Sequence, residues 1–318
     1  MNKELKKTIK KGIIFLIVFS IIFSAYYLLS VKYTKSENSL TWIHGVYQIK
    51  DSIAKNISTQ KILLVGDSNV HFGINAQKIE NETKIKTLNY GIQGGLRAYH
   101  LDRAKQILNP NDIVILSLEY EFYTYEEKKY PFSRQYTYIT YILTHDKPYF
   151  NNLSTYQKFT YQTIGLEELY KNIKISNSKP IQNYDLKDIN KWGDQTYYKD
   201  ANFSFNKHPF TIPENYEKNY NNYIGIKKLK EFIFWAKNNN ITILIDNPSL
   251  YNNSKLHSKE YKEYFNIINQ FYSQNNISII TKPVESLYEL EYMYDTRYHL
   301  NEKGKEIRTQ KIIEFLTQ

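Results

Sequence analysis

The chain has 318 residues, enough for one large domain or two small ones around a buried core. Its formal charge of +10 comes with five lysines in the first eleven residues and the rest scattered, with no basic stripe, which argues against a nucleic-acid partner. Cysteine is absent, excluding disulfides, thiolate metal sites and a cysteine nucleophile.

The 31 tyrosines stand out, along with abundant Lys, Asn and Ile in stretches such as Asn219-Tyr220-Asn221-Asn222-Tyr223. An AT-rich genome accounts for such a bias; a carbohydrate-stacking or nucleic-acid surface is the alternative.

In chain order, residues 1–11 read as a cytoplasmic tail and residues 12–31 as a membrane anchor. Gly12 to Val31 carries no charge. About 20 residues at a helical rise of roughly 1.5 Å span the roughly 30 Å hydrocarbon layer. Lys3, Lys6, Lys7, Lys10 and Lys11 precede it, while only Lys32 and Lys35 follow nearby. That asymmetry keeps the N-terminus inside and sends the rest across. Tyr26, Tyr27 and Tyr33 suit the far interface. A cleaved signal peptide is the other reading, with Ser24-Ala25 as a weak cut site. The expectation is a single-pass protein of the inner or cytoplasmic membrane with an extracytoplasmic domain. Export takes ATP- and NAD-dependent chemistry off the list of functions.

Residues 32–60 read as a stalk with some helical content. Lys61 to Val65 is a short apolar run entering the turn Gly66-Asp67-Ser68-Asn69, which predicts a buried strand. Thr83 to Asn89 reads as a second strand, followed by Tyr90-Gly91-Ile92-Gln93-Gly94-Gly95. Leu96 to Leu108 has helical spacing and stops at Asn109-Pro110. Asp112 to Leu118 is the clearest buried strand. Helices are predicted over Ile224–Lys237 and Ser258–Ser273, with strands at Ile241–Ile245 and Ile277–Ile280. A last helix begins near Asn301 and carries apolar Ile307, Ile312, Ile313 and Leu316. Strands alternating with helices predict an α/β fold with a parallel sheet covered on both faces, and ligands beyond the strands' carboxyl ends. Residues 122–223 break the alternation, being Tyr-rich and polar. They read as an insertion shaping the site, or as a docking surface. The α/β domain is therefore expected to comprise residues 61–121 and 224–318.

Three segments carry chemistry. Ser68, in a tight turn after a buried strand, can present its hydroxyl beyond the sheet edge, with Gly66 easing the turn and Asp67 accepting backbone N–H bonds. A turn that merely caps a helix has the same sequence. Asp295 and His299 lie on one segment before the last helix. A serine needs an imidazole to take its proton, and the imidazole needs a carboxylate to orient it. A surface His–Asp pair is the bland alternative. Asn89 to Gly94 follows the second strand, where a glycine N–H can approach an oxyanion. An ordinary strand-to-helix turn has the same appearance.

Taken together, these segments resemble the SGNH/GDSL hydrolase superfamily, from Lys61 to Gln318 with the insertion set aside. The resemblance implies an SGNH, flavodoxin-like three-layer fold. It implies Ser68 as nucleophile, His299 as base and Asp295 as its orienting acid, with oxyanion donors from Ser68 and Gly94. The acid here precedes the base by four positions, where three is commoner. The family's third block, Gly-x-Asn-Asp, is missing. Leu118-Glu119-Tyr120-Glu121 stands there instead, so Asn69 or Asn247 is expected to help as donor, and Glu119, Glu121 and Asn247 to contact substrate. Ionised Glu119 and Glu121 cannot donate.

With the anchor, that departure makes the chain similar to membrane-anchored SGNH-like proteins of cell-surface O-acylation, of the alginate-acetylation and teichoic-acid D-alanylation types. The similarity implies a surface or periplasmic polysaccharide as acceptor and an MBOAT-class membrane acyltransferase as partner. A non-catalytic scaffold that binds glycan through its tyrosines is the alternative, and a plain lipase a third. His71, His100, His145, His208 and His257, the other exported histidines apart from His44, read as structural or surface residues. Neither metal nor cofactor is expected.

Overall fold

The structure, a computed structural model, describes residues 3–34, 38–125, 136–162, 185–196 and 209–318. Its chain divides into two units, Met1–His44 with Phe132–Gln182 and Gly45–Pro131 with Asn183–Gln318.

The first unit contains helix α1 (Lys3–Thr34). Its stretch Lys3–Tyr26 is long and apolar enough to cross a bilayer and is wholly unburied; a signal sequence passes the same test. The unit also holds helices Tyr136–His145 and Lys147–Asn152, the latter capped by Asp146, which accepts from the Tyr149 N–H at 3.1 Å. Helix α2 (Asn38–Lys55) carries residues of both units.

The second unit is built on a parallel sheet of β1 (Lys61–Gly66), β2 (Lys86–Asn89), β3 (Ile113–Ser117), β4 (Thr242–Asp246) and β5 (Ser278–Thr281). Its order is β2-β1-β3-β4-β5, the flavodoxin-like order of doubly wound sheets. Strands buried on both faces read as unbroken apolar runs, as Ile62 to Val65 and Ile113 to Leu116 do. On one face Ile62, Leu64, Ile115 and Leu244 pack with Ile79 of α4 (Ala76–Thr83) and with Ile312 and Ile313 of α8 (Glu302–Leu316). The alternate residues Leu63, Val65, Val114, Leu116 and Ile245 are equally buried. Helices α5 (Tyr99–Lys105), α6 (Ile224–Asn238) and α7 (Lys259–Gln274) pack against β1, β4 and β5 respectively. The expected three-layer α/β architecture is what forms.

Several boundaries move. The second strand begins at Lys86, because Thr83 ends α4 and Lys84 takes a left-handed φ of 62° to cap it. The helix expected over Leu96–Leu108 shrinks to α5, after a 3-10 turn at Gly94–Leu96. Residues 32–60 are not simply a stalk. In α2 the Lys50 side chain is fully buried and donates to the Gly91 carbonyl at 2.6 Å, while Asp51 accepts from the Tyr90 hydroxyl at 2.6 Å.

Nor is 122–223 one insertion. Phe122 to Tyr125, Phe210, Tyr216 and Tyr223 are core residues. Buried Asp194 accepts from the Ala76 N–H at 2.9 Å and the Gln77 N–H at 3.1 Å, and the Trp192 carbonyl accepts from the Asn89 N–H at 2.8 Å. Hydrophobic periodicity cannot flag a segment that docks through a carboxylate and its backbone. Much of the remaining insertion lies outside the described residues. Tyr120, Tyr123, Tyr216, Tyr264 and Tyr272 are buried, so these tyrosines serve as core.

The last helix contains the largest departure. Ile307, expected on its apolar face, is 37% exposed, whereas Arg308 is 1% exposed. Arg308 Nε donates to Asp246 Oδ2 at 2.8 Å, Nη1 to the Asn69 carbonyl at 2.8 Å, and Nη2 to Ser117 Oγ at 2.6 Å and Asn69 Oδ1 at 3.1 Å. One guanidinium thereby joins α8 to the ends of β1, β3 and β4. Breaking a buried ion pair strands the surviving charge, at about 3–5 kcal/mol. Arg308→Met should lower the urea-unfolding free energy by about that much, and adding Asp246→Asn should restore part of it. A single variant as stable as the parent would remove this role.

Candidate active site

The site lies beyond the carboxyl ends of β1, β2 and β3. β1 ends at Gly66, where β3 runs close: a Cβ there would come within 2.1 Å of the Ser117 carbonyl oxygen. Closeness, rather than the expected sharp turn, calls for glycine, since Gly66 is not at positive φ. Asp67 then fixes the turn. Its Oδ2 accepts from the Glu119 N–H at 2.8 Å, and its Oδ1 lies 3.0 Å from His100 Nε2. Ser68 opens helix α3 (Ser68–Gly73), so its own N–H is one of those that a helix start leaves without an intrahelical acceptor.

His299 sits on a loop closed by its neighbours. The Tyr294 N–H donates to the His299 carbonyl at 2.8 Å, and the N–H groups of Tyr298 and His299 each donate to Thr296 Oγ1 at 3.2 Å. Asp295 Oδ1 lies 2.6 Å from His299 Nδ1, which leaves Nε2 as the nitrogen for chemistry. A four-residue spacing therefore brings this acid and base together. The imidazole packs on Phe72 with ring centroids 4.5 Å apart. Phe72 lies one helical turn beyond Ser68 on α3, so the two share a face.

Ser68 itself is turned elsewhere. Its Oγ donates to Glu119 Oε1 at 3.1 Å, and among the described residues no hydrogen bond joins Ser68 to His299. The other oxygen, Glu119 Oε2, rests against Gly94, where a Cβ would approach it to 2.8 Å. Glu119 thus spans the gap between the serine and the glycine loop. Glu119 is half-buried, and burial raises its pKa well above the usual carboxylate value. Asp67 and Glu121 push the same way, while the Ser68 hydrogen bond and Arg297 oppose them.

The remaining residues divide. Glu121 pairs with Arg297 and accepts from the Tyr298 hydroxyl at 2.6 Å, which ties the end of β3 to the histidine loop. Asn69 does not face the site as an auxiliary donor. Its amide donates to the Ser117 carbonyl at 3.1 Å and its oxygen accepts from Ser117 and Arg308. Asn247 is 1% exposed and donates to the Thr281 carbonyl at 2.7 Å, so it too is held in the core. His208 lies outside the described residues.

Sequence reasoning missed Arg297 and the buried pair behind α3. Lys50 Nζ lies 3.0 Å from His71 Nδ1 and donates to the Gly91 carbonyl at 2.6 Å. Burial lowers the Lys50 pKa to about 7 against the pull of Asp194, and burial, then Lys50 and His299, lowers that of His71. A signal was present: Ile43, Val46, Tyr47 and Lys50 fall at the spacing of one apolar helix face.

No family model matches the chain, and no curated protein matches it in sequence. Two solved structures share its outline. One is described as a lipolytic protein of the G-D-S-L family from Desulfitobacterium hafniense DCB-2, 11% identical over 80% of this chain and 99% of its own, with a TM-score of 0.40. The other is described as a platelet activating factor from Streptococcus pneumonia, 12% identical over 87% of this chain and 95% of its own, with a TM-score of 0.41. Overlap of that order leaves the fold class to the molecule's own features. The strand order is flavodoxin-like, and the serine turn after β1 and the Asp–His loop before the last helix are the segments that carry the resemblance to SGNH/GDSL hydrolases.

Lys50 makes the stability depend on pH. Below pH 7 the amine is protonated whether the chain is folded or not. Between about 7 and 10.5 only the unfolded chain keeps the proton, so folding gains stability as pH rises. The stability difference between wild type and Lys50→Met, from urea melts at pH 7, 8 and 9, should therefore shift in favour of wild type by up to about 1.4 kcal/mol per pH unit. A difference flat across that range would mean an ordinary lysine.

Proposed function

We propose that the protein is a membrane-anchored serine acyl-ester hydrolase or O-acyltransferase acting outside the cytoplasm on a cell-surface or periplasmic glycan. The observation that carries the reading is the Asp295–His299 pair at 2.6 Å, its imidazole against Phe72 one turn from Ser68. In this reading the Ser68 side chain turns away from Glu119 towards His299, whose ring packs on Phe72 of the same helix face. Ser68 Oγ then attacks the ester or thioester carbonyl carbon while its proton passes to His299 Nε2. The carbonyl oxygen becomes an oxyanion held by the Ser68 and Gly94 N–H groups. Collapse expels the leaving group, which takes the proton from His299. Water or a sugar hydroxyl repeats the cycle on the acyl-serine, giving hydrolysis or transfer.

The lysine-flanked apolar helix supports an inside N-terminus and an exported domain. Transfer to a glycan, with an MBOAT-class membrane acyltransferase as acyl source, rests on the resemblance to surface O-acylation proteins. One observation favours a different reading, a scaffold without catalysis: the Ser68 hydroxyl is bonded to Glu119 and not to His299.

Fluorophosphonate labelling separates the two, because only an activated serine reacts. Wild type should label at Ser68 and turn over p-nitrophenyl acetate. Ser68→Ala and His299→Ala should each lower kcat by about 10³-fold or more with an unchanged circular-dichroism spectrum. Full activity in Ser68→Ala, or no labelling of wild type, would remove the enzyme reading.

A further inference from the structure

The third block of the resemblance leaves the oxyanion short of one donor, and Glu119 occupies the corresponding strand end, just after β3. Two contacts locate its carboxyl group. Oε1 accepts from Ser68 Oγ at 3.1 Å, and Oε2 lies 2.8 Å from where a Cβ on Gly94 would stand. A carbonyl attacked by Ser68 and polarised by the Gly94 N–H must bring its oxygen between these same two residues. The carboxyl group is therefore at the rim of that space, on a backbone fixed by the Glu119 N–H bond to Asp67.

We propose that Glu119 is a third oxyanion donor, giving the carbonyl oxygen a hydrogen bond from its carboxylic O–H. This inference rests on the acyl-enzyme reading above.

An ionised Glu119 would face the developing negative charge with another and slow the reaction, so the group must be neutral. Its surroundings favour that form. Desolvation is the largest influence, and Asp67 before α3 and Glu121 beyond β3 both resist a further negative charge. Arg297, on the histidine loop, acts the other way, but it is paired with Glu121. Tyr298, on the same loop, donates to Glu121 and is held neutral by burial. No proton leaves Glu119 in the step. The Ser68 proton goes to His299, the C–O bond forms, the carbonyl π pair moves onto oxygen, and the Glu119 O–H shortens its hydrogen bond to that oxygen. On collapse the pair returns and the hydrogen bond relaxes.

The same contacts admit a competing role in which Glu119 is the base that deprotonates Ser68. Glutamine tells them apart. An amide is nearly isosteric, accepts from Ser68 through its oxygen and donates through its nitrogen, but cannot take a proton. The test is p-nitrophenyl acetate hydrolysis by the full-length chain in detergent, for wild type, Glu119→Gln and Glu119→Ala, across pH 6 to 10. Glu119→Gln should stay within about tenfold of wild-type kcat, and Glu119→Ala should lose about 10²–10³-fold in kcat with KM little changed. Wild-type activity should fall at alkaline pH as Glu119 ionises, and that fall should vanish in Glu119→Gln. Glu119→Gln as inactive as Glu119→Ala, an alkaline limb kept in Glu119→Gln, or wild-type kcat in Glu119→Ala would each overturn the proposal. Should Glu119→Ala not fold, the glutamine variant and its pH profile decide alone. Fluorophosphonate labelling of Ser68 in wild type keeps this outcome separate from failure of the enzyme reading.

Discussion

The guanidinium of Arg308 is the point at which sheet and site become one object. It reaches from the last helix past Gly73, where a Cβ would come within 2.9 Å of Nη1, to Asp246, Ser117 and Asn69. Those partners stand at the carboxyl ends of β4 and β3 and in the serine turn. A buried charge so placed is tolerable only if nearly every donor is used, and Arg308 donates five hydrogen bonds to four residues. The consequence reaches the chemistry. Ser249, which accepts from Arg308, donates to the Tyr298 carbonyl at 2.7 Å, beside His299. The segments that carry Ser68 and His299 thus hang from one cation, although they lie more than two hundred residues apart in sequence.

Around the serine the balance of charge is reversed. Asp67, Glu119 and Glu121 crowd the end of β3, and Arg297 pairs with one of them. Burial, with Asp67 and Glu121 adding to it, raises the pKa of Glu119 well above the usual carboxylate value, which favours its uncharged form. Ionised carboxylates cannot donate, and the sequence alone does not tell which carboxylate is neutral. Only the enclosure of a side chain decides it.

Much of the fold was legible because its signal is local. Ile62 to Val65 and Ile113 to Leu116 are unbroken apolar runs, and Asn301 does cap the last helix, accepting from the Gly304 N–H at 3.1 Å. The Asp295–His299 pairing was legible because both residues lie on one short loop. What escaped is long-range and polar. Arg308 for Ile307 is a rotation of one position on α8, visible only once Asp246 and Asn69 are known to lie opposite. Asn69 and Asn247 could stand in for the missing oxyanion donor by residue type, yet both are consumed by carbonyls of the core. Asp194 sits in a polar stretch that no periodicity marks, and it docks by accepting backbone N–H bonds. In each case a buried polar group found its partner far away in sequence.

The tyrosines link composition to this pattern. An aromatic ring fills a core as well as a leucine, but its hydroxyl must be satisfied or it destabilises the fold. Tyr123 and Tyr272 solve this by bonding each other at 2.6 Å, and Tyr264 by donating to the Tyr120 carbonyl at 2.7 Å. Tyr298 solves it by reaching Glu121 at 2.6 Å. In that last case the need to satisfy a buried hydroxyl clamps the loop next to His299 onto the strand end that carries Glu119. A leucine at 298 could fill the volume and would leave that loop with one fewer tie. A compositional bias of the whole chain has in this way become a positioning contact, because the hydroxyl that the bias introduced was buried within reach of the site.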